Sequence, residues 1–411
     1  MKMKDSGIPW IGQIPEDWEV AKYKFFANSG MGETILGGNL VEDGIPVYSA
    51  TQNSTIFGYV KSSNLKLNKN DFVIPARGNS IGCVTIVKDN EATATQTTIY
   101  SKLNNNINYK FLYYCCVGLK NVWFYFEDTA IPQITVNQVQ NNQVPLPPQE
   151  IQQKIVEILD KNCGQIDELV RIEENEIEKL KEYKTSLITK VVTKGLDPNA
   201  KMKDSGIPWI GQIPQDWEVG RLKNVCVERN EILSSTTDYD YEFRYIDISS
   251  VSFEQGILQY QNMLFKNSPS RARKIVRKND VIISMVRTYL KAITLIKDDN
   301  NVIVSTGFAV LKTYNSNPQY IEFFVKSNYF SYMVTINSNG VSYPAINIEN
   351  LLNIFLVIPD MQTQQQIVDY LDRRCEEIDN LIKIKQAKIE KLKEYKKSLI
   401  YQYVTGKKEI V

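Results

Sequence analysis

Apolar residues between Gln149 and Thr193 recur in steps of three and four. The series runs Ile155, Leu159, Cys163, Ile166, Val170, Ile177, Leu180, Tyr183, Leu187 and Val191. That spacing predicts one long amphipathic helix. The stretch contains no proline and one glycine, Gly164, and it follows the proline-rich lead Val144-Pro145-Leu146-Pro147-Pro148. A helix of this length would span roughly 67 Å. Its apolar seam is narrow and flanked by Glu and Lys, so a single partner helix could cover it.

The partner is expected within the same chain. Residues 361–404 align with the first stretch without a gap at an offset of 212, so that Cys163 meets Cys375 and IEKLKEYKTSLI (177–188) meets IEKLKEYKKSLI (389–400). Ile155, Leu159, Ile166, Leu180 and Leu187 on the first helix, with Ile367, Leu371, Ile378, Leu392 and Leu399 on the second, are the candidates for helix pairing and partner docking. The opening KMKDSGIPWIGQIPEDWEV (2–20) also returns, as KMKDSGIPWIGQIPQDWEV (201–219), with only Glu16 against Gln215 differing. A repeat of about half the chain is a domain duplication rather than a solenoid. Between the fixed ends the content diverges, and the second copy is longer. The order is cyclic: strap, globe, helix, strap, globe, helix. One frame used twice implies one kind of partner met twice; two different inserts imply two different ligands read.

In the first globe, short Val-, Ile-, Thr- and Tyr-rich runs at 45–50, 72–75, 83–87 and 97–102 predict strands between Gly/Asn/Asp turns. In the second, 241–250, 281–285, 292–296 and 308–312 do the same. Residues 318–334 predict a helix with an aromatic face. The fold class is therefore α+β. The boundaries are a first β-rich domain at 1–148, a helix at 149–195, a second domain at 196–360, and a second helix with tail at 361–411. Two helices paired antiparallel would relate the globes by a pseudo-twofold axis.

Composition narrows the chemistry. The 411 residues include no histidine, which excludes Ser–His and Cys–His nucleophile pairs and His metal sites. No apolar run is long enough to span a bilayer, and the N-terminus lacks the apolar core of a secretory signal. Six cysteines without CxxC spacing are expected as reduced, buried thiols of a cytoplasmic protein. The chain contains no [DN]PP[YF] tetrapeptide, Gly-rich S-adenosylmethionine loop or Walker loop. Glu182/Lys184 and Glu394/Lys396 have the ExK spacing of some nucleases, but on a helix residues two apart do not share a face. They are expected as solvated helix charges.

Net charge is +1, so any nucleic-acid footprint must be local. In the second globe, residues 266–291 hold eight basic residues against one acid, Asp280. Candidate DNA contacts there are Arg271, Arg273, Lys274, Arg277, Arg287, Tyr289 and Lys291, with residues 268–274 read as a projecting loop and Asn339 on a second loop. In the first globe the candidates are Lys69, Arg77, Asn79, Ser80 and Gln96. Arginine forks suit guanine, and Asn and Gln suit adenine edges.

The chain resembles the specificity subunits of type I restriction–modification enzymes. The resemblance rests on SGIPWIGQIPEDWEV at the start, VPLPPQEIQQKIVEILD leading into the first helix, VVTKGLDPNAKMKDSGIPWIG between halves, and IPDMQTQQQIVDYLDRRCEEIDNLI leading into the second. It covers the whole chain. It implies two target recognition domains, each reading half of a split double-stranded DNA site. The paired helices act as spacer and dock two methylation subunits, and two motor/nuclease subunits complete the restriction enzyme. It implies no catalysis, metal or cofactor on this chain, with S-adenosylmethionine, ATP and Mg²⁺ on the partner subunits. Two rival readings are a protein-interaction scaffold with two binding globes on a coiled-coil spacer, and a chain that is itself a nuclease or methyltransferase. A steep loss of binding with salt would separate DNA binding from the scaffold.

Overall fold

The structure, a computed structural model, describes residues 2–51, 55–125 and 132–409. The chain divides into two compact units. One comprises Met1–Glu174 with Gln386–Val411, and the other Asn175–Lys385. The boundary falls inside both long helices, which run Gln149–Lys194 (46 residues) and Met361–Val404 (44 residues).

Capping chemistry fixes where these helices start. Asp360 accepts hydrogen bonds from the backbone N–H of Gln362 (2.9 Å) and Thr363 (3.0 Å), and from the Thr363 hydroxyl. The Thr363 hydroxyl and these N–H groups hold its carboxyl below the usual range. Each helix also buries a glutamine in its first turns. Gln152 and Gln364 donate to Pro147 O and Pro359 O, and they accept from Asn108 N and from Asn317 N with the Ser316 hydroxyl. The amide thus ties each helix start to its globe. Gly195 (φ 79°) and Gly406 (φ 68°) stop the helices in the left-handed region. A Cβ on Gly406 would lie 2.3 Å from Pro15 Cδ, so the repeated strap packs closely on the helix end.

Within the first unit the helix segments touch through Asp167–Lys396 (2.6 Å) and Glu173–Lys388 (2.5 Å). Within the second they touch through Lys184–Asp379 (2.7 Å) and Lys385–Glu176. In each unit the numbers rise on one helix as they fall on the other. Lys184 and Lys396, expected as solvated charges, instead reach across to an aspartate. Where the first helix carries Glu173 and Glu176, the second carries Lys385 and Lys388. Identical copies would set like charges against each other at these sites; the divergence makes them complementary.

Each globe is built on one strand plan. In the first, Ala27–Met31, Thr98–Leu103, Phe72–Pro75 and Thr85–Ile86 pair in that order, all antiparallel. In the second, Cys226–Glu228, Phe308–Thr313, Val281–Ser284 and Ile293–Leu295 repeat it. A second sheet accompanies each. Gly58–Val60, Ile45–Tyr48 and Thr93–Ala94 form it in the first unit; Gln261–Leu264, Glu242–Ile246, Val302–Ser305 and Ala272–Ile275 form it in the second. Residues 268–274, expected as a loop, are partly strand: Ala272–Ile275 pairs with Val302–Ser305 across a bulge. The helix expected at 318–334 breaks at Ser327, whose side chain caps a new helix, Asn328–Ile336.

The core of each unit joins globe to helices. Ile155, Leu159, Ile166 and Leu399 are buried with Trp18 and Phe111 in the first unit, with Leu392 packed partly against them. Ile367 and Leu371 are buried with Trp217 and Tyr320 in the second, with Leu187 partly packed. Ile378 is buried and Leu180 only half-buried. Five cysteines are buried, and burial pushes the Cys226 thiol up to about 12 and that of Cys375 to about 11. Cys83 departs from the expectation: it is exposed, with Lys120 Nζ 2.8 Å from its sulfur. Among the described residues no helix is long and apolar enough to cross a membrane, and no group of His, Cys, Asp and Glu could hold a metal ion.

Candidate nucleic-acid interface

In each unit an inner strand of the first sheet, Phe72–Pro75 or Val281–Ser284, begins at a turn with matching chemistry. Asn68-Lys69-Asn70-Asp71 and Arg277-Lys278-Asn279-Asp280 each place an asparagine in the left-handed region (φ 76° and 72°), and each folds its aspartate back onto the turn. The other end of each strand opens into a longer loop, residues 76–84 and 285–292. A four-residue strand is about 13 Å long. Lys69 and Arg277 therefore sit at one end of the sheets, while Arg77, Asn79, Arg287, Tyr289 and Lys291 sit at the other.

At that second end the first unit gathers Arg77, Asn79 and Gln96, all exposed. Ala76 N donates to Thr97 O (2.9 Å), which brings the 76–84 loop beside the 95–97 turn. Gln96 Oε1 accepts from the Thr34 hydroxyl (2.8 Å). Ser80 is buried, and its hydroxyl donates to Ala50 O (3.0 Å), so its role in the loop is to hold it. The turn that carries Gln96 also touches the backbone of Gly32, where a Cβ would sit 2.3 Å from Thr95 O. Gly32→Ala should therefore displace this turn and destabilise the first unit by about 1–3 kcal/mol, measured by urea titration.

The second unit divides its basic residues more sharply. Arg271 pairs with Asp247 (2.8 Å) at the start of Ala272–Ile275, and its carbonyl accepts from Thr306 N. Lys274 points inward to Glu228 (2.7 Å) and Phe308 O, with 11% of its side chain exposed. Arg277 pairs with Glu231 (3.1 Å), and Lys266 with Asp240 (2.6 Å). Arg273 lies over the Phe265 ring and donates to nearby carbonyls. The acids that meet these residues all come from 228–247, outside the window whose charge the sequence counted. Among the described residues no acid pairs with Arg287 or Lys291. Their guanidinium and ammonium groups lie over aromatic rings, Tyr343 at 5.3 Å and Phe253 at 5.4 Å.

Asn339 joins this end of the sheet. Asn339 and Ala345 exchange backbone hydrogen bonds (2.8 and 2.9 Å), and the Thr288 and Ser338 hydroxyls meet at 3.2 Å. The 336–345 segment thus lies beside the 285–292 loop and adds two exposed side chains that the sequence reading missed, Val341 and Tyr343. The run Asn337-Ser338-Asn339-Gly340 marks a loop there. Nothing in the sequence marked which loop it would join.

The model of the type I restriction modification DNA specificity domain matches residues 15–182 and 214–394, once in each half of the repeat. The chain belongs to the type I restriction–modification specificity-subunit family. It is similar to the MjaVIII specificity subunit of Methanocaldococcus jannaschii, at 26% identity over 96% of this chain and 94% of that one. It is also similar to the putative MjaX specificity subunit of the same organism, at 27% identity over 97% and 95%. Among solved structures, a chain from work on complex assembly and conformational transition of the type I R-M system superposes with a TM-score of 0.68. The identity is 15%, over 95% of this chain and 98% of that one, a likeness of fold. As a family member the chain is a DNA-recognition component of a restriction–modification system.

Proposed function

We propose that each unit reads one half of a bipartite, asymmetric double-stranded DNA site through the sheet end that carries residues 76–84 and 95–97, or 285–292 and 336–345. In this reading the long helices pair as an antiparallel coiled coil, set the gap between the half-sites, and dock two methylation subunits. Two restriction/motor subunits complete the enzyme. The chain performs no chemistry itself: S-adenosylmethionine, ATP and Mg²⁺ belong to the partner subunits, and the assembly works in the cytoplasm.

The observation that carries the reading is that the family match occurs once per repeat while the matching sheet ends hold different side chains. A repeated frame suits a twofold-related partner such as duplex DNA, and divergent loops suit two different half-site sequences. The test is co-expression with the cognate methylation subunit, followed by mapping of methylated adenines across the host genome. A split motif with two defined halves and a fixed undefined gap is the expected result. A complex that assembles yet methylates nothing overturns the reading. Binding by that complex should also weaken steeply with salt, with log K falling by roughly 0.9 per phosphate contact; a flat salt response would favour the protein scaffold.

A further inference from the structure

The loops at the proposed reading ends of the two units share a backbone constraint and resolve it differently. Gly78 (φ 79°) and Gly82 (φ 69°) occupy the left-handed region in the first loop. At the offset of 209 that aligns the inner strands, their counterparts in the second loop are Arg287 (φ 51°) and Lys291 (φ 47°). Left-handed backbone disfavours any side chain with a Cβ, and glycine adopts it freely. The second loop thus places its two cations at the two positions where the fold would most readily accept glycine. Strain held at an exposed site in this way points to a role for the side chains.

The surroundings hold the strain in place. Thr288 N donates to Pro344 O (3.3 Å), Met285 N to Gly307 O (2.8 Å), Ser284 N to Ala292 O (2.9 Å) and Lys291 N to Thr288 O (3.1 Å). The Ser284 hydroxyl closes on Val286 O (2.5 Å). Lys266, Arg271, Lys274 and Arg277 are each met by an acid, and Arg273 by backbone carbonyls. Arg287 and Lys291 lie only over rings, so their donors face solvent from a pinned loop.

We propose that Arg287 is the specificity-determining residue of the second unit, reading a guanine edge through its guanidinium fork, with Lys291 holding an adjacent phosphate. The inference rests on the DNA-reading function above. A fork with two parallel donors matches guanine O6 and N7, and a compact ammonium matches a phosphate oxygen. The Tyr343 ring, 5.3 Å from the guanidinium, packs against it at the loop surface and leaves its fork of donors free.

The test uses the complex of this chain with its methylation subunit, comparing the parent with Arg287→Gly and Lys291→Gly. Glycine suits both backbone positions, so both variants should fold and assemble as the parent does. For Arg287→Gly, one guanine in one half-site should become degenerate in the genomic methylation motif, with discrimination at that position falling by about 5- to 150-fold and the other half unchanged. For Lys291→Gly the motif should stay intact while the salt slope of binding falls by about 1. An Arg287→Gly complex with an unaltered motif, or with methylation weakened evenly at every site, overturns the proposal. So does an Arg287→Gly chain that fails to fold, which would make the arginine structural. A parent complex that forms but modifies no DNA fails earlier and overturns the DNA-reading function together with this inference.

Discussion

Asp280→Ala should destabilise the second unit by about 3 kcal/mol, seen as a lower urea midpoint of its transition. Asp280 is 2% exposed and receives Arg229 through two hydrogen bonds, Nε at 2.7 Å and Nη2 at 3.1 Å. It also accepts from Arg277 N at 2.7 Å. Truncation would leave a guanidinium, itself 13% exposed, without its main partner and a turn N–H without an acceptor. Glu231 still pairs with Arg229, which keeps the loss near the low end of the 3–5 kcal/mol typical of a broken buried pair. The counterpart Asp71 accepts from the backbone N–H groups of Asn68 (2.7 Å) and Leu103 (2.9 Å), and among the described residues it pairs with no cation. Asp71→Asn, which preserves an acceptor, should therefore cost the first unit less than Asp280→Asn costs the second. Equal losses would mean that the turn, rather than the ion pair, is what Asp280 secures.

The same turn shows what the sequence could and could not reveal. The alignment of Asn70-Asp71 with Asn279-Asp280 located the two inner strands, because apolar runs buried on both faces follow it directly. Phe72–Pro75 and Val281–Ser284 were legible for that reason. Ala27–Met31, Gln261–Leu264 and Ala272–Ile275 were not. Their polar residues are tolerated because one face or one edge meets solvent, and only pairing with a distant strand makes them extended. Residues 268–274 read as loop because Pro269 lies between two serines; the partner that extends Ala272–Ile275 lies about thirty residues on, at Val302–Ser305.

Charge was misleading in a related way. Residues 266–291 carry a local excess, yet Lys266, Arg271, Lys274 and Arg277 meet acids from 228–247 brought alongside by the sheet. A charge count along the chain cannot see pairs made across strands. What it could not separate, the backbone does: Arg287 and Lys291 share a sheet end with Asn339, while Arg277 sits at the opposite end and Lys274 inside. In the first unit the same division sets Lys69 apart from Arg77, Asn79 and Gln96.

Leu159→Asp and Leu371→Asp should each cost about 4–5 kcal/mol or more and abolish the cooperative transition of the unit that holds them. The two leucines are repeat equivalents, both 0% exposed, and each lies in the core that joins a long helix to its globe. An aspartate there would lose the packing of a full leucine and bury a carboxylate with no cation to meet it. Leu180→Asp and Leu392→Asp alter the same seam where the side chains are only half-buried, and a carboxylate can turn toward water. Their cost should be about 1 kcal/mol. From periodicity alone all four leucines are equivalent, since each falls on the apolar stripe. Burial grades them: Leu159 and Leu371 lie fully buried in the cores that join helix to globe, whereas Leu180 and Leu392 are half-buried, beside the buried Ile177 and Ile389 of the same stripe. If Leu180→Asp and Leu392→Asp melted as low as Leu159→Asp and Leu371→Asp, the seam itself would carry the stability, and the globes would be passengers on a self-sufficient helix pair.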